Sequence, residues 1–164
     1  MKPFMKRLFD RQFFWFCLGG ILLSLSACDA TRIYDANHVV PGKWDRKDLI
    51  PFDVSIDDTI HRYNIFLHVR NTGFYEYSEL FLKIYTQSPD GLVKEDSLRI
   101  SIADSLGRKL GEGVGDLRNH TVVFKNNIRF PMAGIYSYRI THDYGNQKIK
   151  GIFDMGLTIK HAVK

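Results

Sequence analysis

The residue with the clearest chemical use in this chain is a cysteine near its start. Leu25-Ser26-Ala27-Cys28 has the Leu-small-small-Cys pattern of a bacterial lipobox. Such a site needs a thiol nucleophile at the membrane surface to receive a diacylglyceryl group. It also needs small side chains ahead of the thiol, to fit the peptidase that cuts the chain there. Upstream, Lys2, Lys6, Arg7 and Arg11 lead into an apolar run from Phe13 to Leu25. That is the basic head and short hydrophobic stretch of a secretory signal, too short for a spanning helix. The competing account is an uncleaved signal anchor with an incidental cysteine. Palmitate-type acyl chains contribute roughly 0.8 kcal/mol per buried methylene, so several chains on Cys28 make attachment effectively permanent.

Residues 1–27 are therefore expected to be a signal peptide, and their removal changes the charge argument. The whole chain carries 23 basic against 18 acidic residues, a net of +5. Without Lys2, Lys6, Arg7, Arg11 and Asp10 it keeps 19 against 17, a net of +2. No basic run with interleaved aromatics remains, which argues against a nucleic-acid partner. Cys17 leaves with the signal and Cys28 takes lipid, so no disulfide is expected within the mature domain.

Other reactive side chains are dispersed. His38, His61, His68, His120, His142 and His161 are not at metal-ligand spacing and have no cysteine to help, so no metal is expected. His68 falls on a strand pattern, where a surface or partly buried histidine is the ordinary account. No nucleophile elbow supports Ser-His-Asp catalysis. The carboxylates of Asp57-Asp58, Asp45-Arg46-Lys47-Asp48 and Glu76-Tyr77-Ser78-Glu79 read as solvated turns rather than glycosidase pairs. Gly107, Gly111, Gly113 and Gly115 lack the Lys-Ser/Thr of a phosphate loop and the dinucleotide spacing, and read as a flexible connection. The expectation is a protein with no catalytic residues and no cofactor.

The elements that would carry any site are strands. Phe52-Val54-Ile56, Tyr63-Ile65-Leu67-Val69, Leu80-Leu82-Ile84, Leu98-Ile100-Ile102, Val122-Phe124, Tyr136-Tyr138-Ile140 and Phe153-Met155-Leu157-Ile159 all alternate with period two. Asp57-Asp58, Pro89-Asp90-Gly91 and Pro131 to Gly134 supply turns. Seven or so short strands without sustained helical periodicity predict an all-β antiparallel β-sandwich, with a jelly roll or partly closed barrel as alternatives. The domain layout predicted is a signal peptide over 1–27, a lipidated tether over 28–43 and the sandwich over 44–164.

Aromatic residues are in excess on both strand faces. Phe66, Phe81 and Tyr85 alternate out of phase with the core sets, and Phe74, Tyr75 and Tyr77 crowd one connection. A second apolar face must be covered by something. Two readings stand: the segment around Trp44 or a loop packs over it, or Phe66, Phe81, Tyr85, Tyr75 and Tyr77 form a docking surface for envelope proteins or a platform for a glycan. Asp58-Thr59-Ile60, Asp96-Ser97-Leu98 and Asp104-Ser105-Leu106 also have the Asp-Ser/Thr-apolar form of bacterial O-glycosylation acceptors at Thr59, Ser97 and Ser105.

Taken in order, these residues resemble the gliding-motility lipoprotein family GldH. The match comprises lipobox Cys28, Trp44 before Phe52, Asp57-Asp58-Thr59 followed by Tyr63-Asn64, and Val69-Arg70-Asn71. It continues through Tyr75-Glu76-Tyr77-Ser78-Glu79-Leu80, Asp96-Ser97-Leu98, Ala103-Asp104 leading to Gly107, and Leu110-Gly111-Glu112-Gly113. Phe130-Pro131 with Gly134-Ile135-Tyr136, and Gly151-Ile152 with Gly156-Leu157, complete it. The chain departs from the family's usual residues at Glu79, near Lys109 and at Asp143-Tyr144. The resemblance implies a membrane-anchored component of the gliding machinery and its associated secretion apparatus, expected at the outer membrane facing the periplasm.

Overall fold

The computed structural model describes residues 31–162. Within them the chain forms ten strands: β1 Arg32–Val39, β2 Lys43–Trp44, β3 Ile50–Ile56, β4 Tyr63–Asn71, β5 Glu79–Gln87, β6 Val93–Ser101, β7 Arg118–Ile128, β8 Gly134–His142, β9 Ile149–Lys150 and β10 Ile152–His161. Two four-stranded sheets, ordered β1-β10-β4-β7 and β3-β8-β5-β6, face each other, and β2 pairs with β9 beside them. Every pairing is antiparallel. This is the expected all-β sandwich.

Alternation builds the core directly. On β3 and β4 alternate residues are buried, so Phe52, Val54 and Ile56 meet Ile65, Leu67 and Val69 between the sheets. Leu80, Leu82, Ile84, Ile100, Tyr138 and Ile140 come from the second sheet, and Met155, Leu157 and Ile159 from the first. Each such burial contributes on the order of 1.5–3 kcal/mol before conformational entropy is counted. Trp44 closes one end. It is fully buried, its indole N–H donates to Asp48 O at 2.8 Å, and its ring meets His142 edge-on at 5.3 Å.

Three expectations are corrected. The tether predicted over 28–43 contains β1, so the sandwich starts near Arg32 rather than Trp44. Tyr34 and Ala36 of this strand pack on the core, His38 meets the Phe52 ring edge-on at 4.9 Å, and the backbone ladder with β10 holds the strand. Phe153 was expected to point inward with Met155, but the β10–β4 register slips between Ile152 and Asp154, and Phe153 faces solvent. The same corner requires Gly151. It has φ 86°, and a Cβ there would lie 2.3 Å from Tyr75 N. The stretch from Gly107 to Gly115 is not a free connection, since bridges Ala103–Lys109 and Glu112–Asn119 tie it down.

Candidate docking surface

Phe81 and Tyr85 point outward from β5, and Phe66 points outward from β4. These strands belong to different sheets, so equal parity in the sequence places the rings on opposite outer faces of the sandwich. The single aromatic face expected from the sequence is therefore two surfaces.

One of them gathers rings. The β4–β5 connection brings Tyr75 and Tyr77 to the start of β5, beside Tyr144 just past β8. Tyr77 and Tyr144 lie 4.8 Å apart, Tyr75 and Tyr77 5.7 Å, and Phe81 and Tyr144 5.8 Å. Tyr75 is buried beneath the others. Its hydroxyl donates to Glu79 O at 2.8 Å and lies 3.1 Å from the Tyr144 hydroxyl, which donates to the same carbonyl. A carbonyl has two lone pairs, so one oxygen can hold both phenols. Burial pushes the Tyr75 and Tyr144 phenols above their ordinary pKa, which keeps both as O–H donors. Tyr77 donates to Gln147 Oε1 at 3.2 Å. With that base fixed, Tyr77 and Phe81 remain more than a third exposed and Phe74 is 80% exposed. Ion pairs Arg46–Asp143, Glu79–Arg99 and Lys83–Glu95 flank the patch. Tyr85 shares the outer face of β5, farther along, opposite Glu95 and Arg139. Tyr144 has the parity of the inward residues Tyr136, Tyr138, Ile140 and His142, so periodicity gives no sign of its place beside Phe81 and Tyr77.

Phe66 sits instead in a groove of about 560 Å³ on the outer face of the β1-β10-β4-β7 sheet. A chain of hydrogen bonds crosses all four strands there: Thr158 Oγ1 to Asp35 Oδ1 at 2.7 Å, His68 Nε2 to Thr158 at 2.8 Å, and Thr121 to His68 Nδ1 at 3.0 Å. The direction follows from Asp35. Burial opposes its charge, but hydrogen bonds from Thr158 and Arg32 and the nearby Arg32 charge outweigh that and hold its carboxyl below the ordinary value. An ionised carboxylate only accepts, so the Thr158 proton points to Asp35, Nε2–H of His68 points to Thr158, and Nδ1 receives the Thr121 hydroxyl. Burial lowers the His68 pKa and supports this neutral form. Arg70 pairs with Asp154 and lies 5.0 Å over the Phe153 ring. Thr158 intervenes between histidine and carboxylate, so the strip differs from a hydrolase triad, in which the carboxylate orients the imidazole directly.

Among the described residues, one group could hold a metal: Asp58, His61 and His161, two of the histidines that look scattered in the sequence. Of the residues in the Asp-Ser/Thr-apolar triplets, Ser97 and Ser105 are exposed and Thr59 is half-buried. Cys28 lies outside the described residues.

Residues 32–159 match the model of the GldH lipoprotein family. The chain belongs to the GldH lipoprotein family. The GldH match spans β1 and nearly all of β10, so it takes in both faces described above. A gliding motility lipoprotein GldH homolog of Christiangramia forsetii is 30% identical over 148 residues, covering 86% of this chain and 91% of its own. The gliding motility lipoprotein GldH of Flavobacterium johnsoniae is 28% identical over 153 residues, covering 87% and 95%. Among solved structures, the infectious bursal disease virus VP2 subviral particle aligns with 78% of this GldH member and 30% of its own chain. Its TM-score is 0.32 at 16% identity, too low to carry fold or function across.

Proposed function

We propose that this chain is a non-enzymatic, lipid-anchored component of the gliding-motility machinery and its associated secretion apparatus, which acts by docking on envelope proteins. The observation that carries the docking reading is the aromatic cluster in which Tyr77 and Phe81 lie against Tyr144. Its base is hydrogen-bonded while Tyr77 and Phe81, with Phe74 nearby in the chain, stay exposed. Rigid aromatic anchors supply large contact area at low entropic cost, and the ion pairs around them suit a polar rim. Tyr75 belongs to the support, and Phe66 drops out of this surface. The relatives' names supply the machinery; the side chains supply the mode of action.

In this reading residues 1–27 are removed, Cys28 carries the acyl chains, and the domain faces the periplasm from the outer membrane. Cys28→Ala should release the protein from the membrane fraction. A photoreactive phenylalanine analogue at position 81 should crosslink to a defined envelope protein in native cells, and one at position 66 should not. Crosslinks that persist unchanged in a Tyr77→Ala background would overturn the docking reading.

A second reading is favoured by the groove around Phe66, where an aromatic ring stands beside the aligned polar side chains of Asp35, His68, Arg70 and Thr158. That combination suits a sugar, which stacks an apolar face and hydrogen-bonds at its rim. Calorimetry with envelope polysaccharides discriminates: binding that Phe66→Ala abolishes and Phe81→Ala spares would favour the glycan module.

A further inference from the structure

The sandwich has two ends, and the one opposite the aromatic cluster brings three ligand-type side chains together. Asp58 and His61 lie in the turn between β3 and β4, and His161 is the last residue of β10. Each offers one ligand atom, and these atoms lie within 4.8 Å of one another.

The arrangement is held from several sides. Asp58 Oδ1 accepts the backbone N–H groups of Ile60 at 2.7 Å and His61 at 3.2 Å, which fixes the carboxylate and leaves Oδ2 facing His61 Nδ1. Those backbone bonds and the His61 contact hold the Asp58 carboxyl down at about 2, so it is ionised at any physiological pH. His161 is placed by the sheet: it pairs with Tyr63 across the β10–β4 ladder, and its ring packs on the Tyr63 ring at 4.9 Å. It meets the His61 ring edge-on at 5.5 Å. His161 Nδ1 is buried with no hydrogen-bond partner. A buried polar atom left unpaired needs an explanation, and a metal at that nitrogen supplies one.

We propose that Asp58, His61 and His161 form a binding site for a divalent transition-metal ion of the zinc type, with the fourth position open to water or to a donor from a partner. Two imidazoles and one carboxylate favour zinc, nickel or copper over magnesium and calcium, which take oxygen ligands. Metal–ligand bonds of about 2.0–2.2 Å set tetrahedral donors roughly 3.4 Å apart. His61 and Asp58 are in closer contact than that and must part, while the widest gap must close by up to roughly 1.4 Å. His61 can supply much of both movements, because its side chain is 69% exposed.

The site would join positions about a hundred residues apart in the chain. His161 N–H also donates to Thr31 O at 2.8 Å, and Ala162 N–H to Arg62 O at 2.7 Å. A metal here would clamp the last strand beside Thr31, the first of the described residues.

The test is calorimetric titration of the mature protein, without a histidine tag, with zinc chloride, and with magnesium chloride as control. One zinc should bind per chain, magnesium should not, and saturating zinc should raise the melting temperature by roughly 5 °C. His61→Ala and Asp58→Asn should each weaken zinc binding at least tenfold. His161→Gln keeps the side-chain bulk and should do the same, and its melting temperature without zinc reports whether the fold survives. Absence of zinc binding, or binding that His61→Ala and Asp58→Asn leave unchanged, would overturn the proposal.

Discussion

The two outer faces of the sandwich are built on the same alternation yet present opposite chemistry. Beyond β5 and β8, the rings of Tyr77 and Phe81 project over Tyr75 and Tyr144, whose phenols converge on one carbonyl. Across β1, β10, β4 and β7, small polar side chains bond sideways from strand to strand, and Thr158 and Asp154 are buried although they point away from the core. The first face spends its polar groups on support and leaves apolar area free for a partner. The second satisfies its polar groups among themselves and leaves a polar groove. The proposed docking role and its glycan alternative thus call on different sheets, and each can be tested without the other.

The largest separation is collective and lies in pH. Burial lowers the pKa of His68 on the polar face, and likewise those of His120 and His142. As pH falls below about 6.5, the unfolded chain takes up protons that the folded chain refuses, so stability declines toward acid until the folded pKa values are passed. The phenols of Tyr75 and Tyr144 are shifted up. Stability they contribute is intact below about 10 and falls as pH rises beyond it. Urea titrations across pH should show the acid loss reduced by His68→Gln and the alkaline loss reduced by Tyr75→Phe. The reverse assignment would break the comparison.

Thr158→Val tests the polar face at one atom. It leaves both the His68 Nε2–H and an Asp35 lone pair unpaired, and should cost about 3 kcal/mol in urea unfolding. Tyr75→Phe removes one donor from a carbonyl that keeps Tyr144, so about 1 kcal/mol is expected. Phe81→Ala should cost less than about 1 kcal/mol in the same measurement, because its ring is well exposed. A larger loss would mean that Phe81 is core, and the aromatic face would lose its claim to a partner.

The sandwich was readable because most strands bury every second residue: Phe52, Leu67, Leu82 and Ile140 mark their strands without ambiguity. β1 was not, because Arg32 to Val39 lacks an apolar alternation and is held by pairing with β10, a contact more than a hundred residues away in sequence. Phe66 and Phe81 have like patterns in their strands, but parity does not say which sheet a strand joins, so one surface was expected where there are two. His61 and His161 look unrelated until β10 lies beside β4. Tyr144 lies past the end of β8, where alternation no longer says which way a ring points.

The chain enters the sandwich at Thr31 beside His161, while Tyr77, Phe81 and Tyr144 crown the far end, one strand length of roughly 30 Å away. The rings are thus carried on a stiff post: whatever they hold is kept at a nearly fixed distance from Thr31, because the strands between have no joint at which to bend.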